Sequence, residues 1–280
     1  ADDFKRRHVH GKGGLGELVG IALPLMVSQA CETMMMFTDR IFLSRLGPEY
    51  MSAAMGGGMT AFMFMTFFVG LTGYTNALVA QYRGAQQQQR CAVAATQAML
   101  LSLAAYPVIL ACIPLGLSLF EAMDLAPAQL GPQRTYFRVV LFCALPMLLR
   151  NSLSVYFTGL GRTRLIMVSA AAAMVVNIGV NYVLIFGKFG APALGITGAA
   201  CGTIVGAVAG FLVVLAAYLH KSNRIPFGVR AATRFDAATV RKLLRYGSPA
   251  GVEFLLNISA FNLAVMAFHS YGVHERHDAA

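Results

Sequence analysis

Four long stretches of the sequence contain no Asp, Glu, Lys or Arg: Tyr50–Tyr82, Cys91–Phe120, Leu165–Gly187 and Phe189–Leu219. The shortest has 23 residues and the longest 33. A helix that crosses a bilayer needs about 20 consecutive apolar residues. Three further apolar stretches carry isolated charges: Leu15–Leu46, Leu130–Thr158 and Lys242–His269. Together these give seven expected spans. Period-two alternation, the mark of a membrane β-barrel, is absent. Composition agrees, with 57% hydrophobic residues. Only 12% are charged, where a soluble domain has about 25%. The expected fold is therefore all-α, a polytopic membrane helix bundle, and its first partner is the lipid bilayer.

The formal charge is +10, which invites a nucleic-acid reading. Its distribution argues otherwise. With the N-terminus placed inside, fifteen Lys and Arg residues fall on the inner side and five on the outer. That is the positive-inside pattern of membrane proteins. It places the N-terminus in the cytoplasm and makes nucleic acid an unnecessary partner. The acids Glu121 and Asp124 fall in an outer turn. The five cysteines lie in or at the edges of apolar helices, without CxxC or metal spacing, and read as packing residues. The first span follows a polar segment with no small-residue cleavage site, so it reads as retained.

An internal repeat sets the expected organisation. Leu23-Pro24 and Leu46-Gly47 recur as Ser248-Pro249 and Tyr271-Gly272, displaced by 225 residues. In each copy the Pro sits near one helix end and the Gly 23 residues later. If the seventh span restarts the first, the repeating unit has six helices. Six is even, so both copies enter the membrane in the same direction, as in parallel-repeat transporters. The expected divisions are an N-terminal cytoplasmic segment at 1–14 and a six-helix lobe at 15–220. A basic linker follows at 221–237, then the first helix of a second lobe at 238–272 and a polar end at 273–280. On this reading the chain is one lobe plus one helix, and a C-terminal lobe is expected as its partner.

Ionisable groups inside a bilayer are costly and usually face an interior cavity. Glu32 and Asp39 are seven residues apart, so they share one face of the first span. Gln29 and Met36 lie close to the same stripe. The stripe reads as a protonatable or cation-binding face, or as a structural pair in which Arg40 or Arg150 neutralises Asp39. Asn177 and Asn181, one turn apart in the fifth span, are either neutral ligands for Na⁺ or interhelical hydrogen-bonding glue. Glu253 and Asn257 repeat that spacing in the seventh span, just after Pro249. Glu32, Gln29, Met36, Tyr136, Arg150, Glu253 and Asn257 are the candidate substrate-cavity residues. Pro24 and Pro249 are candidate hinges, with Pro107, Pro114 and Pro146 as further bends. Clustered methionines suit a promiscuous pocket or simple filler. Gly202, Gly206 and Gly210, at spacing four, read as close helix packing. No HExxH, GxSxG or Walker loop is present, so no enzyme is expected. A retinal protein is excluded because the only Lys of the seventh span, Lys242, lies at its edge.

Several segments, in this order and at these spacings, carry a family resemblance. They are Ala22-Leu23-Pro24, Thr38-Asp39 and Arg45-Leu46-Gly47 in and after the first span, and Ala80-Gln81-Tyr82-Arg83-Gly84-Ala85 after the second. Gly159-Leu160-Gly161-Arg162-Thr163, Asn177 with Asn181-Tyr182, Leu194-Gly195-Ile196-Thr197-Gly198 and Tyr246-Gly247-Ser248-Pro249 complete the set. With them the sequence resembles the multidrug and toxic compound extrusion (MATE) transporters over about residues 15–272. The resemblance implies two six-helix lobes in a bacterial inner membrane. It implies export of organic cations and other drugs in exchange for H⁺ or Na⁺, with no cofactor beyond the coupling ion. Asp39 matches the family's helix-1 acid, and Asn177, Asn181 and Thr203 fall where the family places that acid's partners. Asp39, Asn177 and Asn181 would be the ligands if the ion is Na⁺. Two departures bear on the ion: an amide stands at 181 where some members have an acid, and Asn257 stands where many have one. The alternatives are a lipid-linked sugar flippase of the same wider superfamily and a non-transporting membrane scaffold subunit.

Overall fold

The computed structural model describes residues 15–122 and 125–278, without the side chains of Glu17, Leu263 and 265–278. Segment 1–14, Asp124 and the side chain of Arg276, all used in the charge reading, lie outside the described residues. The helices are α1 (Leu15–Ser44), α2 (Pro48–Gly73), α3 (Thr75–Gly84), α4 (Gln88–Ala111), α5 (Ile113–Glu121) and α6 (Pro127–Phe142). They continue with α7 (Ala144–Gly159), α8 (Thr163–Phe186), α9 (Ile196–Leu219), α10 (Lys221–Arg224) and α11 (Ala237–Asp278). A single 3₁₀ turn, Ala231–Thr233, lies between the last two. No strand occurs among the described residues.

The pairs α2–α3 and α4–α5 each make one long apolar run, and with α1, α8 and α9 they give 5 membrane-length helices. The pair α6–α7 makes a sixth, bent by 51°. The seventh expected span is α11, which runs 42 residues and does not stop at 272. Residues 273–278, expected as a separate polar end, continue the same helix.

The breaks have identifiable causes. A residue four places before a proline loses the N–H that would bond its carbonyl. Pro146 does this to Phe142, at the bend between α6 and α7. The Tyr106 hydroxyl of α4 donates to that carbonyl at 2.6 Å and replaces the missing bond. Pro114 stands in the first turn of α5, where a missing N–H costs nothing. Pro24, Pro107 and Pro249 sit inside uninterrupted helices. Each withdraws one hydrogen bond from its helix, yet at none of the three positions does the helix end. Between α8 and α9 the chain reverses at Gly187, whose left-handed backbone (φ 65°) ends α8.

Two buried apolar clusters fill the bundle. One, around Leu43, Phe120, Phe137, Leu148 and Ile185, lies toward the α1–α2 turn. The other, around Tyr82, Ala95, Tyr156 and Tyr218, lies at the opposite end and takes in residues of the 221–237 linker. Phe227, Val229 and Ala232 of the linker are all buried there. Asn223 fixes it further. Its amide oxygen accepts from the Tyr156 hydroxyl at 3.1 Å and from Arg162 at 3.2 Å, and its amide donates to the Tyr218 carbonyl at 3.0 Å. Gln97 donates to the Arg234 carbonyl at 2.9 Å. Segment 221–237 is thus welded to the helix bundle. It hands over to α11 at Asp236, which accepts from the Ala238 N–H and, at 2.7 Å, from the Thr239 hydroxyl. The Thr239 bond leads the causes that hold the Asp236 carboxyl below its ordinary range.

From there α11 lies along α2. The crossing depends on glycine: a β-carbon on Gly70 would come within 2.7 Å of the Gly251 α-carbon, and one on Gly251 within 2.6 Å of the Phe67 carbonyl. The most extensive packing in the molecule joins α8 to α9, and α1 lies against α8.

Candidate functional site

The α8–α9 contact is built on one spacing. Ser169, Ala173, Asn177 and Asn181 recur every four residues along α8, and all four are buried. Gly202, Gly206 and Gly210 recur every four residues along the facing side of α9. Ridges of spacing four pack into grooves of the same spacing. Here the grooves are emptied of side chains so that polar groups can lie in them. The Asn181 amide oxygen occupies the place where a Gly202 β-carbon would be. The Asn177 β-carbon would lie 2.8 Å from a β-carbon on Gly206, and Arg150 Nε 2.8 Å from one on Gly210. The glycine stripe, which reads from sequence as packing alone, is a row of seats for the site residues.

Helix α1 brings its two acids to this row at different levels. Asp39 accepts a short hydrogen bond from the Asn181 amide. Asn181 also donates to the Asn177 amide oxygen at 3.2 Å. Asn177 itself lies against Asp39. Two amide atoms, Asn181 Oδ1 and Asn177 Nδ2, are buried without a partner. Tyr136 of α6 is buried with its hydroxyl toward Thr203, beside Asp39 and Arg40. Thr203 does not bond Asp39 as the resemblance implies. Its hydroxyl donates at 3.0 Å to the Ala199 carbonyl of its own helix. No cation pairs with Asp39 among the described residues.

Glu32 is arranged differently. Arg150 of α7 donates to it at 3.0 Å, and Arg150 Nε donates to the Ser169 hydroxyl at 3.3 Å. Ser169 in turn donates to the Gly210 carbonyl at 2.8 Å. Arg150 therefore neutralises Glu32, not Asp39, which corrects one of the two structural pairings open from the sequence. Ser169 is a site residue that sequence reasoning missed. Its signal was present in the same four-residue register as Asn177 and Asn181.

The remaining candidates are not drawn into this cluster. Gln29 and Met36 are exposed on α1, and Glu253 and Asn257 are exposed on α11. Among the described residues none of the four bonds to either acid. Pro24 is buried in α1 and Pro249 is exposed in α11. No group of three or more His, Cys, Asp or Glu side chains that could hold a metal ion occurs among the described residues.

The MatE family profile matches residues 24–183, more than half of the chain and most of this site. The chain belongs to the MatE family. It is 29% identical over 262 residues to a probable multidrug resistance protein NorM of Neisseria meningitidis, covering 91% of this chain and 56% of that protein. It is 30% identical over 257 residues to the multidrug resistance protein PmpM of Pseudomonas aeruginosa, covering 90% and 53%. Among solved structures, the chain shares the fold of a multidrug resistance MATE family transporter of the MOP superfamily in an outward-facing conformation. The TM-score is 0.78 at 22% identity, over 88% of this chain and 54% of that one. A MOP superfamily transporter from Pyrococcus furiosus, whose binding pocket is described as having reverse polarity, superimposes with a TM-score of 0.76 at 24% identity, over 88% of this chain and 54% of that one. The chain spans about half the length of the curated MatE relatives it matches.

Proposed function

We propose that this chain forms the first lobe, and the opening helix of the second, of a secondary active transporter that exports organic cations and other drugs in exchange for H⁺ or Na⁺. In this reading Asp39 takes the coupling ion. The transporter lies in a bacterial inner membrane with its N-terminus inside. The names of the relatives support efflux of drugs as the activity.

The observation that carries the role of Asp39 is the contrast between the two acids of α1. Glu32 has an arginine, whereas Asp39 has amides alone. A carboxylate inside a bilayer that lacks a cation gains most from binding one, be it a proton or Na⁺. The amides are suited to both states. In this structure the Asn181 NH₂ group faces the carboxylate. Rotating that amide by half a turn would aim its buried, unpartnered oxygen at Asp39 instead. Three oxygens, from Asp39, Asn181 and Asn177, would then converge, as a Na⁺ ion requires. The same oxygen would accept from a protonated Asp39. A drug that competes with the ion for the lobe then gives exchange, through linkage between the two binding equilibria.

The test is ethidium efflux by the whole gene product in membrane vesicles, under separate H⁺ and Na⁺ gradients. Asp39→Asn should abolish efflux with expression intact. Undiminished efflux by that variant would overturn the assignment.

A further inference from the structure

The linker end of the bundle holds a second polar site, away from the α1 acids. Tyr82 lies in the last turn of α3 and is buried. Two cations from different helices converge on this tyrosine, Arg90 over its ring and Lys242 at its hydroxyl end. Arg90 of α4 lies 5.9 Å from its centroid and Lys242 of α11 lies 5.7 Å from it. Lys242 also donates to the Tyr82 hydroxyl at 3.4 Å. Both cationic side chains are exposed, and neither makes an ion pair among the described residues. The acid beside Arg90 is Asp236, a single carboxylate against two cations, and it is engaged by Ala238 and Thr239 as the cap of α11. One turn on from Lys242, Arg245 lies 5.6 Å over the Tyr246 ring, and Tyr246 stacks on Tyr74 of the α2–α3 junction at 5.7 Å.

Two like charges gathered at one tyrosine repel each other, and the neutral ring and hydroxyl between them do not offset that repulsion. An anion between them would. The depth of the site says which anion. Tyr82 is the last residue of one charge-free run, and Arg90 immediately precedes the next. The ring and its cations therefore lie where hydrocarbon gives way to headgroups, with the tyrosines in the position that interfacial aromatics take. Basic pockets between spans at this depth suit lipid phosphates.

We propose that Arg90 and Lys242 bind the phosphodiester of an anionic phospholipid beside Tyr82, Arg90 from over its ring and Lys242 from its hydroxyl end. The lipid joins α11 to α3 and α4 at the point where the linker enters the second lobe.

The experiment titrates the whole gene product in detergent with phosphatidylglycerol, phosphatidylcholine and inorganic phosphate in separate arms. Bound lipid is counted by native mass spectrometry and thermal stability is followed in parallel. Phosphatidylglycerol should bind and raise the unfolding temperature. The double variant R90Q/K242Q should bind it about thirtyfold more weakly, the loss expected for two basic residues near an anionic surface. R164Q, an exposed arginine outside the cluster, should leave binding unchanged. Should the double variant fail to fold, R90Q and K242Q singly carry the same test, each with a loss of about fivefold. Unchanged affinity in the variants, equal binding of phosphatidylcholine, or the same stabilisation by inorganic phosphate alone would each overturn the proposal.

Discussion

Replacing Gly202 by Ala would place a methyl group on the amide oxygen of Asn181. The oxygen sits in the space that glycine leaves, so the amide must move. Moving it breaks the bond from Asn181 to Asp39 and strains the one to Asn177. A hydrogen bond to a charged group contributes about 1.5–3 kcal/mol, and a neutral one about 1 kcal/mol. Against this, Ala is better than Gly in a helix by about 0.5–1 kcal/mol. The expected net loss is about 2–3 kcal/mol, with the amide as its main source. Gly179 supplies the matched control. It lies on α8 between the two asparagines, and a β-carbon there meets nothing within 4 Å. Gly179→Ala should therefore be neutral or stabilising by up to about 1 kcal/mol. Gly206→Ala is a second probe. Its β-carbon would press on Asn177 at 2.8 Å and on the Ala173 carbonyl at 2.9 Å, so the two helices must separate. It should cost about 1–3 kcal/mol, as overpacking does. The assay is unfolding of the three variants in detergent, followed by circular dichroism. Gly202→Ala as stable as Gly179→Ala would show that α9 does not seat the Asn181 amide.

Two further outcomes follow from the same geometry. Arg150→Gln leaves Glu32 without its cation, and because the Glu32 side chain is 42% exposed and that of Arg150 16%, the cost should be only about 1–2 kcal/mol, below that of a fully buried pair. The double variant E32Q/R150Q should recover most of it in a double-mutant cycle, and an additive result would disprove the pairing. Tyr106→Phe should cost about 1 kcal/mol by stripping the Phe142 carbonyl of its donor. The same change in a Pro146→Ala background should be nearly neutral, since the alanine N–H can serve that carbonyl. Equal costs in both backgrounds would show that Tyr106 does not compensate for the proline.

Much of this was legible in the sequence because a bilayer imposes local rules. A span must be long, apolar and nearly free of charge, and each of those is read along the chain without knowing its neighbours. The acids of α1 and the asparagines of α8 were legible for the same reason. Spacing on one helix fixes a shared face whatever packs against it. The linker was not legible in this way. Its basic composition marks it as a surface connection, while Phe227, Val229 and Ala232 are too sparse to form a periodic pattern. Only their burial against Tyr156 and Tyr218 shows that it belongs to the core.

Pairing across helices is where the sequence alone stops. Arg150 lies 118 residues from Glu32 in the chain, and from the sequence Asp39 was as good a partner. The choice depends on which acid the packed helices bring within reach of the Arg150 side chain, and they place Glu32 there at 3.0 Å. The glycines of α9 show the same limit. Their spacing announced a close contact, but not that the contact would be filled by Asn181, Asn177 and Arg150. The chain by itself determined a membrane bundle with two acids on one helical face. The tertiary structure decided that one acid is matched by a cation and the other by amides alone. The physical reason is that the cost of a charge in a bilayer depends on which groups stand within hydrogen-bonding distance of it, and only the packed helices fix those.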